Sequence, residues 1–367
     1  MGGYGFDSKG EAFEALKREY ISISTQNNAL YYAPYLNIYP FTDILTYNSS
    51  PPYEANLKAT LAIHENLTKL ALDYDSNLFT VTTQLPTDLS VGEKVFDIKI
   101  RCDKEFNTDK YIKIMAHSQQ ADELPKVKLA GLIKVCKNIH KIDRKQLKIV
   151  LVSVKTNKDN TTNTPYEIGK FEEGSFVNEV SNLKKVLYQN LIYANIERKE
   201  LDLSDDMLFH ENTTDGYIDS DGFIKAVVDP FNILDPFNNE INDVKQDYLK
   251  SKLGKKYEGC FTVFSFDIET KPKADGSVTV GNAQTIGKKS VCLYAGRGNF
   301  TMCHEALHGL GLFHAHANGP IDNPNQKYVF PLGNQISTPL EATDNMMSYN
   351  GDYRKSSRGM AAIKIDT

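Results

Sequence analysis

The chain has 367 residues, of which 41% are hydrophobic and 24% charged, and its formal net charge at pH 7 is −5. This length predicts two domains or one large one, and the composition is ordinary for a globular protein. The negative net charge argues against general nucleic-acid binding, and the sequence contains no apolar run long enough to cross a membrane.

Short strands dominate the predicted structure of residues 1–140. Apolar residues occupy every second position in five stretches, which are Leu61/Ile63, Leu70/Leu72, Phe79/Val81, Phe96/Ile98/Ile100/Cys102 and Ile112/Ile114. Turn-rich segments separate these stretches, as is typical of an antiparallel β-sandwich of the immunoglobulin type. Because no catalytic motif falls there, we predict that residues 1–140 are an accessory domain with a docking, shielding or spacer role.

Strands and helices are both predicted in residues 141–367, which makes the whole chain α+β. The domain boundary is placed in the charged segment Lys141–Lys145, between two strands that we expect to pair, Lys128–Val135 and Leu147–Val154. Apolar residues from Phe176 to Leu191 recur at helical spacing. The remaining predicted elements are a strand at Ala194–Leu203, a helix capped by Asn239 that runs to Leu253, and strands at Phe261–Phe266 and Val291–Tyr294.

Two other features of the sequence are interpreted as structural. Asp219-Ser220-Asp221-Gly222 resembles part of a calcium loop but lacks an earlier aspartate and the closing glutamate, so a turn is predicted. The five cysteines are an odd number without metal-knuckle spacing, and buried free thiols are favoured over disulfides. The alternation of Cys102 with Ile98 and Ile100 favours a buried strand residue over a metal ligand.

The strongest chemical pattern in the chain is the stretch from His304 to His314, which reads H-E-x-x-H-x-x-G-x-x-H. Histidines four residues apart lie on one face of a helix, so His304 and His308 can bind one metal ion. Glu305 lies next to them and can reach a water molecule on that metal. Gly311 can end the helix in the left-handed conformation, so that His314 approaches from another direction. Three histidines with one open position predict a catalytic zinc site.

A second motif follows at Asp344–Tyr349, which reads D-N-M-M-S-Y. Together the two motifs resemble the metzincin clan of zinc endopeptidases, and are most similar to astacin-like and serralysin-like members. The resemblance implies a methionine-containing turn beneath the zinc, for which Met347 is favoured over Met346. It also implies a twisted mixed sheet, long helices and an active-site helix, and it places Tyr349 near the metal.

The resemblance implies peptide hydrolysis by water activated on Zn²⁺. Glu305 is expected to act as general base, and Tyr349 either stabilises the oxyanion or ligates the resting zinc. His316 is an alternative third ligand to His314 and is otherwise expected beside the site. Substrate is expected along an edge strand, with Val291–Ala295 as the candidate.

Other functions remain open at this stage. The chain could be a binding module with a vestigial or structural zinc, although Glu305 argues against it, or a hydrolase of cell-wall peptide amides. Met1–Gly5 lacks the profile of a signal peptide, so we expect secretion or export without a classical signal, as for a bacterial effector or toxin. The expected partners are a protein or peptide substrate and a docking partner for the sandwich, with no nucleic acid and no membrane span.

Overall fold

The structure is a computed structural model that describes residues 20–24, 30–42, 51–118, 125–159, 166–173, 178–211, 213, 215–226, 240–272, 276–313, 347 and 362–366. The described chain is mixed α+β and rich in strands, as predicted. It divides into two compact units. The first unit takes the described residues up to Lys145, Leu187–Tyr193 and those after His314; the second takes Gln146–Val186 and Ala194 onward to Phe313.

The described part of the first unit contains nine strands before Lys145 and one more at Ala362–Asp366. They are β1 (Ser22–Ser24), β2 (Leu30–Tyr32), β3 (Tyr35–Leu36), β4 (Glu54–Ile63), β5 (Lys69–Asp73), β6 (Phe79–Thr83), β7 (Gly92–Cys102), β8 (Lys110–Ser118), β9 (Lys126–Val135) and, last in the chain, β16 (Ala362–Asp366). β1 and β2 form a small antiparallel pair. The others form two four-stranded sheets with the orders β16-β4-β7-β6 and β3-β9-β8-β5.

One hydrophobic core serves both four-stranded sheets of this unit. The alternating apolar residues of β7 are buried while the polar residues between them are not, and β4 shows the same pattern. Ile98 from one sheet and Ile112 and Ile114 from the other belong to the same buried cluster. Alternation therefore identified the inward-facing positions correctly, since successive side chains of a strand point to opposite faces. Cys102 is one of these buried strand residues, as expected.

The second unit is built around a mixed sheet. Its strands are β10 (Lys145–Thr156), β11 (Glu167–Ile168), β12 (Ile192–Asp202), β13 (Phe261–Ser265), β14 (Gly281–Ala283) and β15 (Ser290–Leu293). The sheet order is β11-β10-β13-β15-β14, and β12 also pairs with β10. β10, β13 and β15 are parallel to one another, and β14 is antiparallel to β15. Every residue of β13 and β15 is buried, as expected of parallel strands covered on both faces.

Two predictions about strand pairing are wrong. β9 and β10 do not pair, because β9 lies between β3 and β8 in one sheet and β10 joins another. The segment Val291–Ala295 is not an edge, since β14 covers the outer side of β15. β14 has the sequence Gly-Asn-Ala, which carries no β-branched or aromatic residue and so gives no strand signal.

The described helices of the second unit are α1 (Glu179–Tyr188), α2 (Glu240–Leu253) and α3 (Thr301–Gly309). α1 is shorter than predicted: Asn178 accepts a hydrogen bond from the Ser181 N–H at its start, and Leu191 lies beyond its end at φ 54°. The proposed cap of α2, Asn239, lies outside the described residues. None of the described helices combines the length and apolar character needed to span a membrane.

The predicted turn is confirmed, and the prediction of buried free thiols is confirmed for Cys102, Cys292 and Cys303 but not for Cys136 and Cys260, which are partly exposed. Asp219 Oδ1 accepts hydrogen bonds from the N–H groups of Asp221 and Phe223, and Gly222 N–H donates to Asp219 O, which makes this segment a turn. All five cysteines are free thiols.

Candidate metal centre

The helix that carries the zinc motif, α3, belongs to the second unit, and every residue of it except Glu305 is buried. It begins at Thr301 and packs against β14 and β15. At its far end the carbonyl groups of His308 and Gly309 accept hydrogen bonds from Gly287 and Lys289 in the connection between those two strands. The sheet edge thus holds the last turn of the helix in place.

α3 ends at Gly309, and the chain turns at Gly311, as the sequence predicted. Gly311 has φ 104°, and its N–H donates to His308 O while Leu312 N–H donates to Leu307 O. These two bonds form a Schellman motif, in which a left-handed glycine satisfies the last helical carbonyls and turns the chain away from the helix axis. The chain therefore turns away from the helix at Gly311, three positions before residue 314.

His304 and His308 lie on one face of α3, and both side chains are buried. Their Nε2 atoms are 3.2 Å apart, and their rings meet edge to face with centroids 4.7 Å apart. Two nitrogens bound to one tetrahedral zinc at the usual Zn–N distance are separated by about 3.3 Å. The pair therefore has the spacing that two ligands of one zinc ion require.

The other ring nitrogen of His308 is also fixed. Nδ1 of His308 lies 2.7 Å from Leu312 O, a carbonyl that the Schellman motif places there. A carbonyl only accepts hydrogen bonds, so Nδ1 must carry the proton and Nε2 keeps its lone pair for a metal. Burial lowers the pKa of His308 below its usual value, which favours the neutral imidazole that metal binding requires.

Glu305 is held by the main chain of β14. Its Oε2 accepts a 2.9 Å hydrogen bond from Ala283 N–H. The strand approaches α3 very closely at Gly281, where a Cβ atom would lie 2.8 Å from Thr301 Cγ2 and 3.0 Å from Glu305 Cγ. Only glycine permits this approach, which brings the β14 backbone to the carboxylate.

Several predicted site residues lie outside the described residues: His314, Tyr349, and the alternatives His316 and Met346. Met347 is described, and it lies in a turn with a buried side chain. Within the described ranges, no group of three His, Cys, Asp or Glu side chains is placed to hold a metal ion. The structure therefore brings together His304 and His308 at a spacing that fits two ligands of one zinc ion, while the neighbouring Glu305 is bonded to Ala283 of β14.

Cys303, which precedes the first histidine of the motif, and Cys102 are packing residues. Cys303 is buried in α3, and burial raises the pKa of its thiol to about 12. Cys102 is buried in β7 and has a pKa raised to about 12 for the same reason. Because only the thiolate binds metal well, both thiols are poor ligands at neutral pH where they lie.

Sequence reasoning missed the buried charged groups of the second unit. Glu179 at the start of α1 forms a buried ion pair with Arg297, whose Nε and Nη2 lie 2.8 and 3.0 Å from the two carboxylate oxygens. Arg297 also donates to the carbonyls of Lys170 and Tyr294, and it lies four residues before the helix begins. Lys245 of α2 is completely buried. Isolated charged residues in a sequence give no sign that they are buried, so no pattern could have identified them.

Comparison of the chain with models of known protein families, with curated protein sequences and with solved structures finds no match.

Proposed function

We propose that this protein is a zinc-dependent endopeptidase of the metzincin type. The observation that carries the proposal is the pair of buried histidines, His304 and His308, whose Nε2 atoms face each other at the spacing of two zinc ligands, with Glu305 one residue from the first. His314 is proposed as the third ligand. A structural zinc site has no need of a carboxylate at Glu305, which favours catalysis over a vestigial site.

The chemistry that zinc supplies when bound is polarisation of the peptide carbonyl and acidification of a water molecule. Glu305, held through one oxygen by Ala283 N–H, takes the proton from that water and passes it to the leaving amine. Tyr349 is proposed to stabilise the developing oxyanion, and Met347 to pack beneath the site. His308 keeps its metal-binding nitrogen deprotonated through its hydrogen bond to Leu312 O.

The edge strand β14 is the proposed docking strand for a peptide substrate. It pairs with β15 on one side and packs against α3, and because the N–H and C=O of Ala283 already bond to Glu305 and Asn242, the peptide is proposed to pair at Gly281. Addition of an extended peptide to a sheet edge is a common mode of recognition. The first unit, with two sheets around one core, is proposed as an immunoglobulin-like docking module, which leaves the chemistry to the second.

The test is zinc binding and cleavage of a diverse peptide library by the wild type and by three variants. We expect wild type to bind one zinc ion and cut peptides, and Glu305→Gln to bind zinc equally but lose at least about 10³-fold in rate. His304→Ala and His308→Ala should lose zinc. A matched control is His210→Ala, since His210 is a buried histidine bound to Ser204 O away from the motif. Zinc binding without cleavage by wild type would contradict the proposal.

A further inference from the structure

Edge strand β14 lies between two helices. Gly281 faces α3, where a Cβ atom would meet Thr301 and Glu305. The next residue, Asn282, is buried and donates through Nδ2 to Ala226 O on the other side of the strand. This alternation follows from strand geometry, so β14 contacts α3 through Gly281 and the residues on its other side through Asn282.

β14 has only three residues, and polar side chains of α2 bind its main chain. Asn242 Nδ2 donates to Ala283 O at 3.0 Å, and Gln246 Nε2 donates to Asn282 O at 3.3 Å. Ala283 therefore has its carbonyl held from α2 while its N–H holds Glu305. The position of the carboxylate depends on what fixes this strand.

Asn282 is itself fixed by a buried chain of hydrogen bonds that starts at Lys245. Lys245 Nζ donates to Tyr294 OH at 2.7 Å and to Lys225 O at 2.7 Å, and Tyr294 OH donates to Asn282 Oδ1 at 2.8 Å. An ammonium group only donates, so the phenol oxygen must accept from Lys245 and must direct its own proton to Asn282. The direction of every bond in the chain is thus determined.

A charged group in this place is costly to bury. Burial lowers the pKa of Lys245 to about 8, and its two hydrogen-bond partners are neutral oxygens. A well-packed apolar residue is usually at least as stabilising as a buried charge, so its presence calls for a role beyond packing. The chain of bonds that leads from it reaches the strand that holds Glu305.

We propose that Lys245, Tyr294 and Asn282 are positioning residues, which hold β14 in the one placement that lets Ala283 N–H orient Glu305 for proton transfer. The proposal rests on the proposed function, because it assigns these residues to the base of that reaction. They do not touch substrate. Proton transfer requires the base within hydrogen-bond reach of its proton, so small displacements of the strand reduce the rate of the chemical step.

The first test does not depend on activity, because it measures hydrogen exchange within β14 itself. In Tyr294→Phe, which removes one oxygen and keeps the ring, we expect the amide of Ala283 to exchange with solvent about tenfold faster than in wild type. The matched control is Tyr248→Phe in α2, which removes the 2.5 Å hydrogen bond from Tyr248 OH to Asp206. The control should leave Ala283 exchange within about twofold of wild type.

Equal exchange at Ala283 in wild type and Tyr294→Phe would overturn the proposal. Equal acceleration in both variants would overturn it too, because it would indicate a general loss of stability. Lys245→Met is the harsher variant and should exceed the effect of Tyr294→Phe.

The second test separates positioning from binding. With zinc stoichiometry unchanged, Tyr294→Phe should lower kcat about tenfold and leave KM unchanged, while Tyr248→Phe should change neither. A rise in KM alone would overturn the positioning role. A wild type that binds zinc but cuts no peptide would overturn the proposed function and, with it, the catalytic assignment. The exchange of Ala283 would still decide whether the hydrogen-bond chain holds β14.

Discussion

The two units of this protein place their polar groups differently. The core of the first unit consists largely of alternating apolar residues from two sheets, although Asn138 and Arg144 are also buried in this unit. The second unit also has a buried apolar core, but it contains the ion pair of Glu179 with Arg297, the two histidines of α3 and, on the α2 side of β14, the ammonium of Lys245. Buried polar groups cost stability unless they are fully paired. The buried charges and histidines on the two sides of β14 indicate that the second unit is shaped by chemistry as well as by packing.

The largest expected effect is in the second unit. Arg297→Met leaves the carboxylate of Glu179, whose side chain is 1% exposed, without its cation. We expect the free energy of unfolding of this unit to fall by about 4 kcal/mol, since one charge stays buried and unpaired. The measurement is urea denaturation followed by hydrogen exchange of the amides in β13 and β15.

The control for this variant is the double substitution Glu179→Leu with Arg297→Met. It removes both charges, so it should cost clearly less than the single change. An equal or larger loss would mean that the single variant is less stable because the ion pair is lost, and not because one buried charge is left unpaired.

The matching change in the first unit is Ile98→Ala. Ile98 is completely buried in the shared core, so its truncation leaves a cavity. We expect a loss of about 3 kcal/mol, measured by exchange of the amides in β4 and β7 during urea denaturation. A loss below about 1 kcal/mol would show that this core can collapse around the gap and is not closely packed.

A smaller effect should depend on pH. Burial lowers the pKa of Lys245 to about 8 from its usual 10.5, so between these values the unfolded chain binds more protons and stability rises with pH. The groups that face Lys245, Cys292 and Tyr294, have raised pKa values and oppose this trend. Comparison of wild type with Lys245→Met isolates the contribution of the lysine. Between pH 8 and 9.5 we expect the free energy of unfolding of wild type to rise by about 2 kcal/mol relative to that of Lys245→Met. A constant difference would contradict the assignment.

The smallest effect is expected at an exposed ion pair of the first unit. Lys113 and Asp73 lie 3.0 Å apart across β5 and β8, and both side chains are largely exposed. Lys113→Met should change the free energy of unfolding by less than about 0.5 kcal/mol, because water screens the pair. Thermal denaturation in low and high salt provides the measurement, and a loss comparable to that of Arg297→Met would remove the distinction between the units.

Local patterns predicted the individual elements well. Alternation located the inward positions of β7, and glycine chemistry located the end of α3 at Gly311, because both depend only on near neighbours in the chain. Pairing was harder. β9 and β10 were correctly identified as strands but join different sheets, since apolar composition does not specify a partner strand.

The sequence alone determined the spacing of His304, Glu305 and His308 on one helix, because helical geometry relates residues four apart whatever surrounds them. The tertiary structure decided what holds them. β14, which no propensity indicates, gives Glu305 its hydrogen bond. Lys245 of α2, Tyr294 after β15 and Asn282 of β14 come into contact only when these elements pack together. Contacts between residues tens of positions apart depend on the burial of whole elements, which a local pattern does not encode.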